Sequence, residues 1–161
     1  MQEKILQNCE RQDWQKSMPE LSFERFALFS TEQMLSLVAD IKSYPKFVPN
    51  CADMQVEAGE NESNCFATMS VQLGPIEQTY TSKVIIDKTA KSISATAIDG
   101  PFSHLESIWQ FIEQDEGSLI RFDIDFGFSN PLLGRIAEPI FAQKQEEILD
   151  AFIEEARRRY G

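Results

Sequence analysis

The chain has 161 residues and a formal net charge of −11, with 26 acidic side chains against 15 basic ones. Such a field repels phosphate backbones and anionic lipid surfaces, which disfavours general nucleic-acid binding. No stretch approaches the roughly 18 consecutive apolar residues of a membrane-spanning helix, and the first residues lack the positive start and apolar centre of a secretory signal, so a cytoplasmic protein is expected. Cys9, Cys51 and Cys65 are odd in number and lack the spacing of a metal or redox site, which predicts reduced, buried thiols.

Residues 1–20 show no strong period and read as an N-terminal extension; residues 21–161 read as one domain of ordinary size. From Leu21 to Phe29 the chain turns aromatic and apolar, consistent with a first strand. Ser30-Thr31-Glu32-Gln33 has the form of a capping box, and Met34, Leu35, Val38 and Ile41 recur at helical spacing behind it. Tyr44-Pro45 should end that short helix, because proline drives its predecessor out of the helical region; Phe47, Val48 and Pro49 then suggest a second short, apolar turn.

Alternation takes over downstream. Met54, Val56 and Ala58, the polar turn from Gly59 to Asn64, and Cys65, Ala67, Met69, Val71 and Leu73 make a hairpin. Gly74-Pro75 turns the chain into a long strand whose Ile76, Gln78, Tyr80, Ser82, Val84 and Ile86 share a face. After a turn from Asp87 to Lys91, Ser92 to Ile98 forms a short strand, and Asp99-Gly100-Pro101 turns again. His104 to Gln114 is the sixth strand, with Leu105, Trp109 and Phe111 on one side. The seventh is the clearest: Ile120, Phe122, Ile124, Phe126 and Phe128 face in, while Arg121, Asp123 and Asp125 face out.

Asn130 is a good N-cap and Pro131 suits the first helical position, so a helix starts there. Leu133, Ala137, Ile140, Phe141, Ile148, Leu149, Phe152, Ile153 and Ala156 then stack on one side to the end of the chain. Pro139 should bend this helix, Lys144 and Gln145 interrupt its apolar stripe, and Arg157 to Arg159 suit its negative C-terminal end. A strand, two short helices, six hairpin-connected strands and one long helix define an α+β domain, with a curved seven-stranded antiparallel sheet wrapped around the C-terminal helix.

Several stretches resemble a known family: Tyr44-Pro45-Lys46-Phe47-Val48-Pro49-Asn50-Cys51, Gly100-Pro101-Phe102 with Leu105 and Trp109, Asn130-Pro131-Leu132-Leu133, Asp150-Ala151-Phe152, and Tyr160-Gly161. In order and spacing over residues 21–161 they are similar to the coenzyme Q-binding protein and ribosome-association toxin family of START-like proteins, within the polyketide cyclase/dehydrase (SRPBCC) superfamily. The chain departs from that pattern at Asn50, where an aromatic is expected. The resemblance implies a helix-grip fold whose cavity, between sheet and long helix, takes an apolar ligand such as a ubiquinone-like isoprenoid. It also implies a supporting role in respiration with contact at the inner membrane or respiratory chain, or alternatively binding to the large ribosomal subunit that blocks subunit association.

Side chains suited to acid or base work are few: His104, Tyr80, Asp123 and Glu106, of which Asp123 and Glu106 fall on the outward register. No phosphate loop, metal cluster or nucleophile elbow is visible, so no catalytic residue is assigned, no metal or cofactor beyond a bound quinone or lipid is expected, and a cyclase- or dehydrase-type enzyme ranks third. Binding is better supported. Gln78 and Ser82 on the inward strand face and Lys144 and Gln145 on the helix stripe place polar groups against apolar surface, where water, one another or a ligand head must satisfy them. Lys144 has a second reading, in which its stem covers the helix edge and its ammonium reaches water. The ligand-binding candidates are Phe47, Val48, Pro49, Met69, Val71, Gln78, Tyr80, Trp109, Phe111, Phe122, Phe141, Lys144, Gln145, Leu149 and Phe152.

Overall fold

Period-two alternation broken by turn chemistry yields seven antiparallel strands in the computed structural model, which describes residues 20–161. The expected N-terminal extension, with Cys9, lies outside the described residues save for Glu20. The chain runs β1 (Glu20–Ala27), α1 (Thr31–Ala39), a 3-10 helix (Ile41–Lys46), β2 (Cys51–Ala58), β3 (Asn64–Leu73), β4 (Ile76–Asp87), β5 (Ser92–Ala97), β6 (Phe102–Gln114), β7 (Gly117–Phe128) and α2 (Pro131–Tyr160). Successive hairpins set β2 to β7 side by side, and β1 closes the far edge against β7, giving the order β1-β7-β6-β5-β4-β3-β2. The registers bring the largest inward side chains together, with Phe23 opposite Phe122 and Phe122 opposite Trp109.

Both helices start as their caps dictate. Ser30 accepts from the Gln33 amide at 3.1 Å and the Gln33 side chain accepts from the Ser30 amide at 3.0 Å, a complete capping box at α1. Asn130 Oδ1 accepts from Leu132 and Leu133, and Pro131 occupies the first position of α2. α2 continues through Pro139, which is solvent-exposed.

Tyr44-Pro45 does not end α1. The helix stops at Ala39, where Asp40 leaves helical geometry (φ −82°, ψ 64°), and Tyr44 and Pro45 sit inside the 3-10 helix instead. Proline's fixed φ near −65° fits the 3-10 range, so the ring is tolerated there. Phe47, Val48 and Pro49 form the loop that follows rather than a helical turn.

The helix buries Ala137, Phe141, Leu149, Phe152, Ile153 and Ala156 against the inward faces of β6 and β7, where Leu105, Trp109, Phe111, Ile120, Phe122, Ile124 and Phe126 are all buried. At the β1 edge Arg25 donates to Glu146 at 2.7 Å and to Asp150 at 2.9 Å, fastening strand to helix. At the C-terminal end Arg159 donates to Glu155 at 2.8 Å and Asp40 at 3.0 Å, so α2 also holds the junction between α1 and the 3-10 helix. The C-terminal arginines thus act where a helix end favours cations, each paired to a carboxylate.

Candidate functional site

α2 packs on β7, β1 and α1. The sheet curves on beyond it, and the space under the helix is not filled by side chains. A cavity of about 140 Å³ remains, roofed by Phe141, Gln145, Ile148 and Phe152 of α2 and floored by strands β2 to β7. Its side toward the 3-10 helix is lined by Ile41, Tyr44, Val48 and Pro49. Among the described residues its wall carries no Asp, Glu, His, Lys, Arg or Cys.

Ten of the candidate ligand-binding residues face this space: Val48, Pro49, Met69, Val71, Tyr80, Trp109, Phe122, Phe141, Gln145 and Phe152. Five do not. Leu149 is fully buried in the core beside the cavity, and Phe111 lies further along β6, its ring parallel to Trp109 at 6.4 Å. Phe47 backs Phe152 from outside at 5.1 Å, with the Arg159 guanidinium 5.8 Å from its ring centre. Gln78 stays half-buried at the outer end of β4. Lys144 turns outward to Glu147 at 2.9 Å, so its ammonium reaches water and is not part of the wall. Residues the candidate set omits include Ile148 on α2, Tyr44 on the 3-10 helix and Ser107 on β6. Ser107 shares the parity of Leu105 and Trp109, and that alternation was available to find it.

Two aromatic groups brace the cavity. At one end Phe102 meets Tyr80 at 5.1 Å and Phe141 at 5.4 Å; at the other Phe152 meets Trp109 at 4.9 Å and Tyr44 at 5.1 Å. The Gly100-Pro101-Phe102 turn sets the first group. Gly100 has φ +103°, and a Cβ there would lie 2.4 Å from the Tyr80 Cβ, so only glycine lets the turn close onto β4 and aim Phe102 inward. Asn50 sits at φ +67° and its Nδ2 donates to the Gln72 carbonyl at 2.8 Å, a left-handed position in which asparagine is enriched over bulkier residues.

The polar groups of the wall are few. Tyr44 donates its hydroxyl to the Val38 carbonyl, and Tyr80 donates to the Met69 sulfur at 3.3 Å, a weak acceptor. Burial pushes both phenol pKa values well above the ordinary range, so both stay neutral. Gln145 is 4 % exposed and donates Nε2 to the Phe141 carbonyl at 3.0 Å. The Cys51 thiol beneath the loop is pushed up to about 11, mainly by burial, so it is inert at neutral pH. Cys51 pairs with Val71 and Cys65 with Ala58, at opposite ends of the β2–β3 hairpin, and both are free thiols. The remaining acid-base candidates stand outside: His104 Nε2 lies 3.0 Å from Asp125 on the outer face, and Glu106 and Asp123 share that register. Among the described residues no cluster suited to a metal ion exists, and no helix is long and apolar enough to cross a membrane.

A curved antiparallel sheet gripping one long helix around an apolar hollow defines the START-like, helix-grip class. Residues 29–153 match the family described as polyketide cyclase / dehydrase and lipid transport, and the chain belongs to that family. It is 32 % identical over 142 residues to the ribosome association toxin RatA of Rickettsia prowazekii, covering 85 % of this chain and 97 % of that one. It is 30 % identical over 138 residues to the mitochondrial coenzyme Q-binding protein COQ10 homolog B of Xenopus laevis, covering 83 % of this chain and 56 % of the relative. Among solved structures, the Zhui aromatase/cyclase from Streptomyces sp. R1128 superposes with a TM-score of 0.80 at 16 % identity, over 89 % of this chain and 96 % of that one, a likeness of fold.

Proposed function

We propose that this protein binds a hydrophobic small molecule without transforming it, and that the ligand is an isoprenoid quinone or a lipid of similar shape. The cavity carries the reading. An engineered apolar hollow of about 150 Å³ is enough to take benzene, so a space of about 140 Å³ suits one ring or one isoprene unit. A full isoprenoid tail needs more room, so it extends out of the cavity or widens it as it enters. Each CH₂ buried along that path contributes about 0.8 kcal/mol. The described wall carries no carboxylate, imidazole, thiol, lysine or arginine, and its two phenols are held neutral, which supports binding over catalysis. Likeness to a coenzyme Q-binding relative supports the quinone; hand-over of that quinone to respiratory partners at a membrane surface is the role this reading gives the protein. Organic extraction of the purified protein followed by mass spectrometry tests this. A stoichiometric prenyl lipid or quinone is expected; an empty protein that also fails to take up a short-chain quinone in titration overturns it.

A second reading rests on the likeness to RatA, which spans nearly the whole of that relative: the protein associates with the large ribosomal subunit and blocks subunit joining. A net charge of −11 directs such contact to a ribosomal protein surface rather than to RNA. Sucrose-gradient profiles after overexpression decide it: free subunits should accumulate at the expense of whole ribosomes, and an unchanged profile removes the reading.

A further inference from the structure

Tyr44 and Tyr80 both line the cavity, yet their hydroxyls are held differently. Tyr44 donates to the backbone carbonyl of Val38, a strong acceptor. Tyr80 donates to the Met69 sulfur, 3.3 Å away, and a thioether is a weak one. Tyr80 and Met69 are direct cross-strand partners on β4 and β3 and both belong to the wall, so this hydrogen bond runs along the cavity surface. A buried hydroxyl paired so weakly stands to gain from an oxygen acceptor. The ring that carries it is held in place: Phe102 meets it edge-on at 5.1 Å, and the Gly100 turn closes against its Cβ. Burial raises the pKa of the phenol well above its ordinary value, so it keeps its proton at neutral pH.

The geometry points to Tyr80 as the residue that fixes the polar end of the ligand: its hydroxyl leaves the Met69 sulfur and donates to a ligand oxygen, favouring a ring that bears a carbonyl over its hydrocarbon counterpart. This rests on the ligand-binding reading above and deepens it, naming the group that recognises a quinone-type oxygen. Other donors line the wall, namely the hydroxyls of Ser82 and Ser107 and the amide of Gln145, which gives one N–H to the Phe141 carbonyl. They differ in reach. A serine hydroxyl sits one bond beyond Cβ on the sheet floor, and Gln145 is held back to its own helix backbone, whereas the phenol carries its hydroxyl a ring's length from β4.

Titration of the intact protein with cyclohexanone and methylenecyclohexane tests this, because the two rings differ only in a carbonyl oxygen replaced by CH₂. Water solvates the ketone better, so the informative quantity is the change in their affinity ratio on substitution, from which that difference cancels. Tyr80→Phe, which removes only the hydroxyl, should lower cyclohexanone affinity about five- to tenfold and leave methylenecyclohexane affinity unchanged or higher. Met69→Leu, close in volume and without the sulfur, should shift the ratio about two- to threefold toward the ketone. The infrared carbonyl band of bound cyclohexanone should lie below its position in a hydrocarbon solvent and return toward it in Tyr80→Phe. If both rings bind and Tyr80→Phe leaves the ratio or the band unchanged, the role of Tyr80 is refuted while the cavity reading stands. If neither ring binds, the cavity reading fails and the role of Tyr80 with it. Should Tyr80→Phe not fold, the other two readouts decide: a wild-type band at its hydrocarbon position, or a ratio that Met69→Leu does not raise, refutes the assignment.

Discussion

Filling the cavity should stabilise the protein and abolish binding together, and Ala95→Leu is the substitution that does so with least disturbance. Ala95 lies on β5 between Val84 of β4 and Ser107 of β6, half-buried, with its methyl in the cavity wall. At about 24 cal/mol per Å³, an empty space of about 140 Å³ withholds about 3 kcal/mol from the fold. Leucine adds three carbons, worth about 2 kcal/mol at roughly 0.8 kcal/mol each, and imperfect fit removes up to about 1. The expected result is a gain of about 1 to 2 kcal/mol in urea unfolding, a melting point higher by about 3 to 6 °C, and loss of toluene binding. A variant destabilised by 1 kcal/mol or more that still binds toluene at wild-type affinity would refute the reasoning, since the methyl would then face packed atoms rather than open space.

Gly100→Ala should cost about 1 to 3 kcal/mol, because the new Cβ sits 2.4 Å from the Tyr80 Cβ at φ +103°; thermal unfolding with near-ultraviolet dichroism of the Tyr80 and Phe102 environment reads it, and an unchanged melting point contradicts it. Asn50→Phe should destabilise by about 1 to 2 kcal/mol, whereas Asn50→Gly should stay within a few tenths; equal unfolding midpoints for the two would show that backbone handedness does not govern the site. Hydrogen bonds from Arg158 and Arg159 hold the Glu155 carboxyl at about 2, below its ordinary 4.5, so its contribution is complete above that ordinary value and is lost as the pH falls through about 2. Glu155→Gln should therefore be less stable than wild type at pH 6 and should lose less as the pH is lowered from about 5 to 2; parallel stability curves over that window contradict the assignment.

The strands were legible because burial enforces parity. Ile120, Phe122, Ile124 and Phe126 alternate with charged or polar neighbours, and one face of β7 is buried just as that pattern requires. α2 was legible from its cap and its stripe, but its rotation about its own axis was not. Each residue turns the helix by about 100°, so the adjacent pairs Lys144–Gln145 and Ile148–Leu149 each hold one residue facing the cavity and one facing elsewhere. Sequence shows that polarity interrupts the stripe at Lys144 and Gln145; only packing on β1 and β7, fixed in part by Arg25 with Glu146 and Asp150, turns Gln145 and Ile148 into the wall and sends Lys144 to Glu147. The 3-10 helix escaped for a similar reason. Tyr44-Pro45 is a sound local stop signal, but the long-range pull of Arg159 on Asp40 accompanies an earlier end to α1. Gly100 reads locally as any turn glycine; its tight fit is set by Tyr80, distant in sequence.

The central claim is that an apolar hollow between helix and sheet takes up a ring. Titration of toluene into protein labelled at alanine and isoleucine methyls, followed by ¹H–¹³C spectra, tests it most directly. The methyls of Ala67, Ala95, Ile93, Ile124 and Ile148, which all line the hollow, should shift together and saturably. Shifts confined to the solvent-exposed Ile136 and Ile98, with the wall methyls unmoved at saturating toluene, would contradict it.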